Sequence, residues 1–426
     1  MNRNDPTERQ MSDDTGTQEL PPHLLRPELR PIRIMPFGDE QGKFLGLRLM
    51  DPYHGQGLDV QIPSQQHLQG VQALLQAFRG QATVHEIAEQ LKAPEVKPVS
   101  ELALALESRG LLWGPTSEEL ETKMRDHLRK EGAFPATVSR ALGEDEAKCR
   151  AKIESILAEA DDPELEGALV GIVATHLDYE RGRAVYATSY KALSAAVAKG
   201  QQFDRVVILG TPHLALGDGV TISDVGFDSP LGRCPADQAV ITALRSSGGE
   251  RLFIDLLDLC PEHSVQCHIP WIQAILGNVP ILGAILPDPT AKLIADDGKR
   301  ATVAEFVTAL QGALGSDLSR TLFVLSAELA HVGPQFGDAK PVDEARKKEV
   351  NQLDRSLLKS FIAGDPQAFL GAVATDANPM HWNSLGALWA GLSLLKGAKP
   401  ELLDYYQSCE ADGSRMVSAA SLAFTR

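Results

Sequence analysis

No stretch of this 426-residue sequence holds about 18 consecutive apolar residues, so no membrane-spanning helix is expected. Cysteine is scarce. The five residues Cys149, Cys234, Cys260, Cys267 and Cys409 are odd in number and include no Cys-x-x-Cys pair. This argues against a zinc ribbon and for a reducing, cytoplasmic setting. Positive charge is also short: 41 Lys and Arg stand against 57 Asp and Glu, a formal net charge of −16. Such a surface repels phosphate backbones, so nucleic acid is not an expected partner. No Gly-x-Gly-x-x-Gly opens a helix, and the glycines of GDGVTISDVG read as a loop. The absence of a Gly-x-Ser-x-Gly elbow disfavours a serine enzyme of the α/β-hydrolase type. The N-terminus, MNRNDPTERQMSDDTGTQELPPH, lacks an apolar signal core. Residues 1–30 are expected to be a disordered tail.

What is present divides the chain. Hydrophobic content of 43% allows a sizeable core, and the length allows two or three domains. In QQHLQGVQALLQAF, residues 65–78, Leu68, Val71, Leu74, Leu75 and Phe78 share one helical face, and Gly80 ends it. Thr83 and Glu86 have capping-box spacing, which starts a second helix. Ser100 is placed to cap a third, SELALALESR, which Gly110 ends, and LLWG then reads as a short strand or wing. Three helices and a wing predict a winged-helix domain over residues 31–115. Its third helix carries Glu101 and Glu107 against Arg109, which is wrong for a DNA-recognition helix. The order of extended segment, helix, F-x-G, T-x-x-E helix and RGLL resembles PqqD-like domains. That resemblance implies a leader-peptide site. A purely structural domain is the competing reading.

Residues 116–165 are charged and helical in pattern, SEELETKMRDHLRKEG then DEAKCRAKIESILAEA, and read as a helical connector. From 166 to 426 apolar β-type runs alternate with helical segments. The expected strands are 168–174, 205–210, 251–257, 279–286 and 321–326. Helices are expected at 183–199, 236–246, 270–276, 303–314, 346–362, 366–372 and 384–396. The alternation predicts an α/β layered domain with a mostly parallel core sheet.

Four of those strands are followed by histidine: His176, His213, His263 and His331. Ligands of open α/β sheets bind beyond the carboxyl ends of the strands. One such histidine is most simply a core imidazole, whereas four at equivalent positions predict a cluster at one rim. Imidazoles and carboxylates on one rim suit a divalent metal. His176 and Asp178 share a side if their strand continues, and His213 completes a set of two histidines and a carboxylate. Asp178 has a second reading, in which it orients His176 from behind or caps the following loop. Cys260 and Cys267 flank His263 at no standard zinc spacing and read as buried structural thiols.

The segments THLDYERG, LGTPH, DSPLG with a later Asp237, EHSVQCHIPW and SAELAHVG are similar, in order and spacing, to the motifs of the Memo family over residues 166–396. The resemblance implies a fold like that of class III extradiol dioxygenases, a metal or redox link and a radical-SAM partner protein, the bacterial members being termed AmmeMemoRadiSam system protein B. By motif, His176 and His213 match the family's ligand histidines. Glu262, His263 and Ser264 form its Glu-His-Ser block, and Glu328 with His331 matches its Asp-x-x-His. Three departures stand out. Pro and Gly of the first motif are lost while Asp178 is gained, a glutamate becomes Gln266, and the family's C-terminal cysteine is missing, with His381 or Asn383 nearest.

The expected metal ligands are therefore His176, His213 and Asp178, with Glu328 and His331 competing for the third place. His263, His331 and Glu328 are the acid–base candidates. Iron is the first expectation, with zinc or copper as alternatives. The expected function is a metal-dependent redox enzyme acting on a small-molecule or peptidyl substrate, or an accessory to a radical-SAM system. The competing expectations are a zinc hydrolase on the same rim and a catalytically lapsed scaffold that recruits a peptide or partner through its N-terminal domain.

Overall fold

The computed structural model describes residues 20–39, 41–213, 219–290, 299–375 and 378–426. They form two compact units, Met1–Thr122 and Lys123–Arg426, and the helix Pro115–Glu131 carries the chain from one to the other.

In the first unit, strands β1 (Arg33–Gly38), β2 (Phe44–Met50) and β3 (Gly57–Gln61) form an antiparallel sheet in that order. Helices Gln65–Ala77, Val84–Gln90 and Lys97–Glu107 follow. The second begins with the expected capping box between Thr83 and Glu86. The third begins earlier than its serine suggested. Ser100 lies inside it, and its hydroxyl donates back to the Val96 carbonyl at 3.4 Å. The sheet also lies elsewhere. In LLWG only Leu112 makes an isolated bridge, to Leu29, and residues 33–61 supply the strands. Leu49, Phe78, Ile87, Val99, Leu106 and Leu111 build a core private to this unit.

The disordered tail expected over 1–30 does not hold for residues 20–30. Residues 1–19 lie outside the described residues, but Pro22–Leu25 is a helical turn with Leu24 buried. Arg30 is 1% exposed, bonded to Asp51 at 3.0 Å and to Glu121 at 2.6 Å, and stacked over Trp113. A buried guanidinium held by two carboxylates fixes this segment, because removing one partner would strand a charge.

The second unit holds β4 (Ala133–Phe134), β5 (Leu169–Ala174), β6 (Arg205–Gly210), β7 (Thr221–Ile222), β8 (Gly226–Ser229), β9 (Gly232–Cys234), β10 (Ile281–Ile285), β11 (Thr321–Ser326), β12 (His331–Val332), β13 (Lys399–Cys409) and β14 (Met416–Thr425). Its main sheet is 8-stranded, ordered β12-β14-β5-β11-β6-β10-β7, with β13 on β14. Strands β5, β11, β6 and β10 are mutually parallel. Every residue of β5, β10 and β11 is buried, as continuous apolar runs covered by helices on both faces must be. Each fully buried Val, Leu or Ile there contributes about 1.5–3 kcal/mol. β12, β14 and β7 complete the sheet in antiparallel pairings. The mixed α/β class with a mostly parallel core is as the alternation predicted.

Three local expectations are corrected. RLFIDLL is not a strand: Glu250–Leu252 and Leu256–Leu259 are 3₁₀ turns. Leu252, Phe253, Leu256, Leu257 and Leu259 are buried, a helix-like spacing that a short apolar run hides. GDGVTISDVG, read as loop, contains β7 and the start of β8. The connector is no spacer: Cys149, Ile153 and Ile156 of helix Glu146–Leu157 are fully buried, and β4 pairs with β8.

Candidate metal centre

Strand β5 ends at Ala174 and delivers His176 two residues later. Beside it β11 ends at Ser326, whose hydroxyl lies 2.9 Å from His176 Nδ1. With Nδ1 occupied, Nε2 faces the cavity. It is buried and has no hydrogen-bond partner among the described residues.

Strand β6 ends at Gly210, and Thr211 and Pro212 lead to His213. A Cβ on Gly210 would lie 2.5 Å from Ser264 Oγ, so only glycine lets the Ser264 turn approach. That approach is then used. Thr211 N donates to Ser264 Oγ at 2.9 Å, and this hydroxyl donates to the Thr211 carbonyl at 3.1 Å. The contact brings Glu262 and His263 beside His213. Glu262, 2% exposed, accepts from the backbone N–H of His213 at 2.8 Å and of Ser264 at 2.7 Å. Its Oε1 lies 3.0 Å from His213 Nδ1 and 3.5 Å from His263 Nδ1. A carboxylate behind an imidazole fixes its tautomer and raises its basicity.

The three rings converge. Centroids lie 4.9 Å apart for His176 and His213, 5.4 Å for His176 and His263, and 4.5 Å for His213 and His263. One nitrogen of each lies within 4.8 Å of the others. An ion bonded at about 2.1 Å would draw such nitrogens to roughly 3–4 Å.

Burial sets the protonation states. It holds His176 well below the ordinary imidazole range, with His213 and His263 adding to the effect. His263 is lowered by burial and by His213. Burial acts the same way on His213, but the Glu262 carboxylate outweighs it and His213 ends above its ordinary value. Glu262 also resists its own burial through His213 and is lowered.

Beyond β11, Glu328 and His331 form a second pair. His331 Nε2 lies 3.0 Å from Glu328 Oε2, and Nδ1 lies 3.0 Å from the Leu329 carbonyl. His331 thus sits between two oxygen acceptors, a backbone carbonyl and a carboxylate. Glu328 Oε2 is also 3.7 Å from His176 Nε2, which sets the pair beside the three imidazoles. Asn383 Nδ2 is 3.3 Å from His331 Nε2, so the residue nearest the missing cysteine serves this pair.

Asp178 lies outside the cluster. Its carboxylate accepts from the backbone N–H of Arg181 at 3.0 Å and from Arg181 Nε, and its side chain is 55% exposed. Of its two readings, the geometry fits the loop cap, and His263 takes the third place in the cluster. His263 reaches it from the first position of the short helix His263–Gln266, not from a strand end. Asp237 caps the helix Gln238–Gly248 and binds Arg205 at 2.6 Å. His268 is buried against Tyr190, and His381 Nδ1 contacts the His331 carbonyl. Cys267 is fully buried, and burial pushes its thiol far up.

A cavity of about 610 Å³ opens over the cluster, bordered by all these imidazoles except His268 and His381, by Glu328 and by Asn383. Leu177, Asp178, Tyr179, Arg181 and Cys267 also line it, as do Val138, Ala141, Phe336, Arg415 and Val417, the last five not singled out from the sequence. Ser326 could have been suspected as the polar terminus of an apolar strand. Arg415 and Val417 depend on the C-terminal hairpin, which left no such sign.

The sequence profile described as Memo-like protein matches residues 137–423, beginning inside the stretch read as a connector. A MEMO1 family protein of Thermus thermophilus is 28% identical over 330 residues, 76% of this chain and 92% of that protein. One from Pyrobaculum aerophilum is 30% identical over 195 residues, 46% of this chain and 64% of that protein. One from Methanocaldococcus jannaschii is 24% identical over 257 residues, 59% of this chain and 82% of that protein.

Proposed function

Since the chain belongs to the Memo-like protein family, we propose that its second unit is a mononuclear metal enzyme whose ion is held by His176, His213 and His263. The observation that carries this reading is His176 Nε2, buried without a hydrogen-bond partner among the described residues and close to two other imidazoles. A lone orphan nitrogen would be a plain loss of about 1–3 kcal/mol, and a shared cation removes that loss. The donor set fits such an ion. Two of the three rings are anchored through Nδ1, by Ser326 and Glu262, and burial keeps His176 neutral.

Without a thiolate the donors are borderline in softness. Three imidazoles suit iron, zinc and copper(II) alike and disfavour copper(I). When bound, the ion would polarise an oxygen of the substrate or activate dioxygen. The chain's own part is clearer. Glu328 and His331, 3.0 Å apart beside the cluster, are placed to pass a proton to or from a reacting substrate. Val138, Ala141, Phe336 and Val417 keep water from part of the cavity. The reaction class we favour is oxidation of a small organic or peptidyl substrate in the cytoplasm, alone or beside a radical-SAM protein. Metal analysis of protein purified without chelating resin should find one ion per chain. His176→Ala and His213→Ala should lose it and keep the wild-type circular dichroism. A wild-type chain that binds no iron, zinc or copper at micromolar concentration would end this reading.

One observation favours a second role for the first unit. β1 is exposed along nearly its whole length, with Ile34 50% and Met35 42% exposed, and Phe44 of β2 is 42% exposed. An open strand edge beside apolar side chains suits an added peptide strand, as the PqqD-like resemblance implies. Titrating the full chain with candidate leader peptides should shift amides of residues 33–61. Unchanged spectra would leave this unit a structural domain.

A further inference from the structure

Arg181 and Arg415 border the same cavity as the histidines. Arg415 Nη2 donates to Glu410 Oε1 at 2.6 Å, but its Nε is buried and has no acceptor among the described residues. An unpaired guanidinium N–H is costly, so a donor in this position awaits an acceptor from outside the fold. The adjoining wall is apolar: Leu177 and Val417 belong to one buried cluster, with Phe336 packed against it. At the histidine end stands Glu328, already paired with His331. The cavity thus offers an unpaired guanidinium N–H beside an apolar flank. Its volume of about 610 Å³ falls within the 300–1,000 Å³ typical of small-molecule sites.

We infer that the cavity takes a small organic carboxylate, its anionic group on Arg415 and its apolar body along Leu177, Phe336 and Val417 toward the three histidines. The planar guanidinium matches a carboxylate through parallel N–H donors. Arg181 borders the same cavity, but its charge is offset by Asp178, which holds its Nε and also borders the cavity, so Arg415 carries the recognition. This names the substrate class of the site proposed above and rests on that cavity being the reaction site, though anion binding itself needs no metal.

The test is calorimetric titration of the full chain with 3-phenylpropionate and with its neutral isostere 3-phenylpropanamide. The acid should bind the wild type about 10- to 100-fold tighter, the range for one charge-assisted hydrogen bond. Arg415→Gln should erase that preference and leave amide affinity unchanged, while Arg415→Lys should keep part of it. His176→Ala, which removes the proposed metal, should keep the preference. Equal binding of acid and amide to the wild type, or binding of neither, would overturn the inference without needing any variant. A preference that survives Arg415→Gln but disappears in His176→Ala would overturn it too, because the anion would then sit on the ion. A preference that persists in protein shown to bind no metal would uphold the inference while the metal reading fails.

Discussion

Glu262→Gln separates holding a ligand in place from being one. The wild-type carboxylate accepts from His213 N at 2.8 Å, Ser264 N at 2.7 Å and His213 Nδ1 at 3.0 Å. Ser264 N and the closer Nδ1 contact use Oε1, and His213 N uses Oε2. A glutamine keeps one acceptor oxygen and turns the other end into a donor. With its oxygen at the Oε1 position, the amide NH₂ faces the His213 backbone N–H. Turned over, it faces the Ser264 N–H. One buried donor is therefore left unpaired in either orientation, at about 1–3 kcal/mol. Loss of a partner behind a metal-binding histidine commonly lowers affinity about 10- to 100-fold. That is about 1.4–2.8 kcal/mol.

The deficit should also depend on pH. Against the pull of burial, Glu262 holds His213 above its ordinary pKa, so in the wild type protons compete with the ion up to that raised value. In Glu262→Gln burial acts alone, His213 falls, and the competition weakens. The variant's deficit should thus be small near pH 6 and reach its full size above the wild-type His213 pKa. The assay is competition for zinc against a chromophoric chelator between pH 6 and 9. Affinity within twofold of wild type at every pH would refute the clamp. Complete loss of the ion would show Glu262 to be a ligand itself.

Asp178→Asn should change metal affinity less than twofold, since its carboxylate is spent on Arg181; a large loss by the same chelator assay would return it to the metal site. Gly210→Ala should destabilise the fold by about 1–3 kcal/mol and weaken metal binding, because the new Cβ meets Ser264 Oγ at 2.5 Å and Val265 Cγ2 at 2.9 Å; urea unfolding with a metal titration reads both. Burial lowers His268 to about 3, so the unfolded chain takes up its proton first as pH falls. That stability is complete above about pH 6.5 and is lost steadily down to about pH 3, and in His268→Gln the slope of unfolding free energy against pH over this window should flatten.

The core strands were legible because a parallel strand covered on both faces must be apolar throughout, which β5, β6 and β11 are almost without exception. The C-terminal hairpin was not. β14 is buried at every position, yet MVSAASLAFT fills it largely with Ala and Ser, chosen for close packing and carrying little hydrophobic signal. Helix Leu385–Leu394 was expected, over 384–396, but its close packing was not: a Cβ on Gly391 would lie 2.2 Å from Leu325 Cδ1, so tight helix-on-strand contact is written as a glycine and not as a large apolar residue. RLFIDLL erred in the opposite direction, apolar enough for a strand but coiled into turns that bury four of its seven side chains.

The site divides along the same line. His176 and His213 could be brought together from sequence because each follows a core strand, and a parallel sheet puts the ends of such strands on one rim. The sheet order makes the reason concrete. β11 lies between β5 and β6, so the two histidines flank the strand whose own end supplies Ser326 to one and Glu328 to the cluster's edge. His263 reached the rim by a route with no periodic signature: a glycine at the end of β6, a serine hydroxyl bridging two backbone groups and a glutamate capping a four-residue helix. The serine contacts join segments about fifty residues apart in sequence. Asp178 failed for the complementary reason. It had the right type and spacing, but Arg181 lies three residues on and its N–H groups meet the carboxylate locally, as an aspartate in a turn prefers. Strand-end position thus identified which imidazoles could meet, while the choice of the third partner was made by contacts that only the folded chain creates.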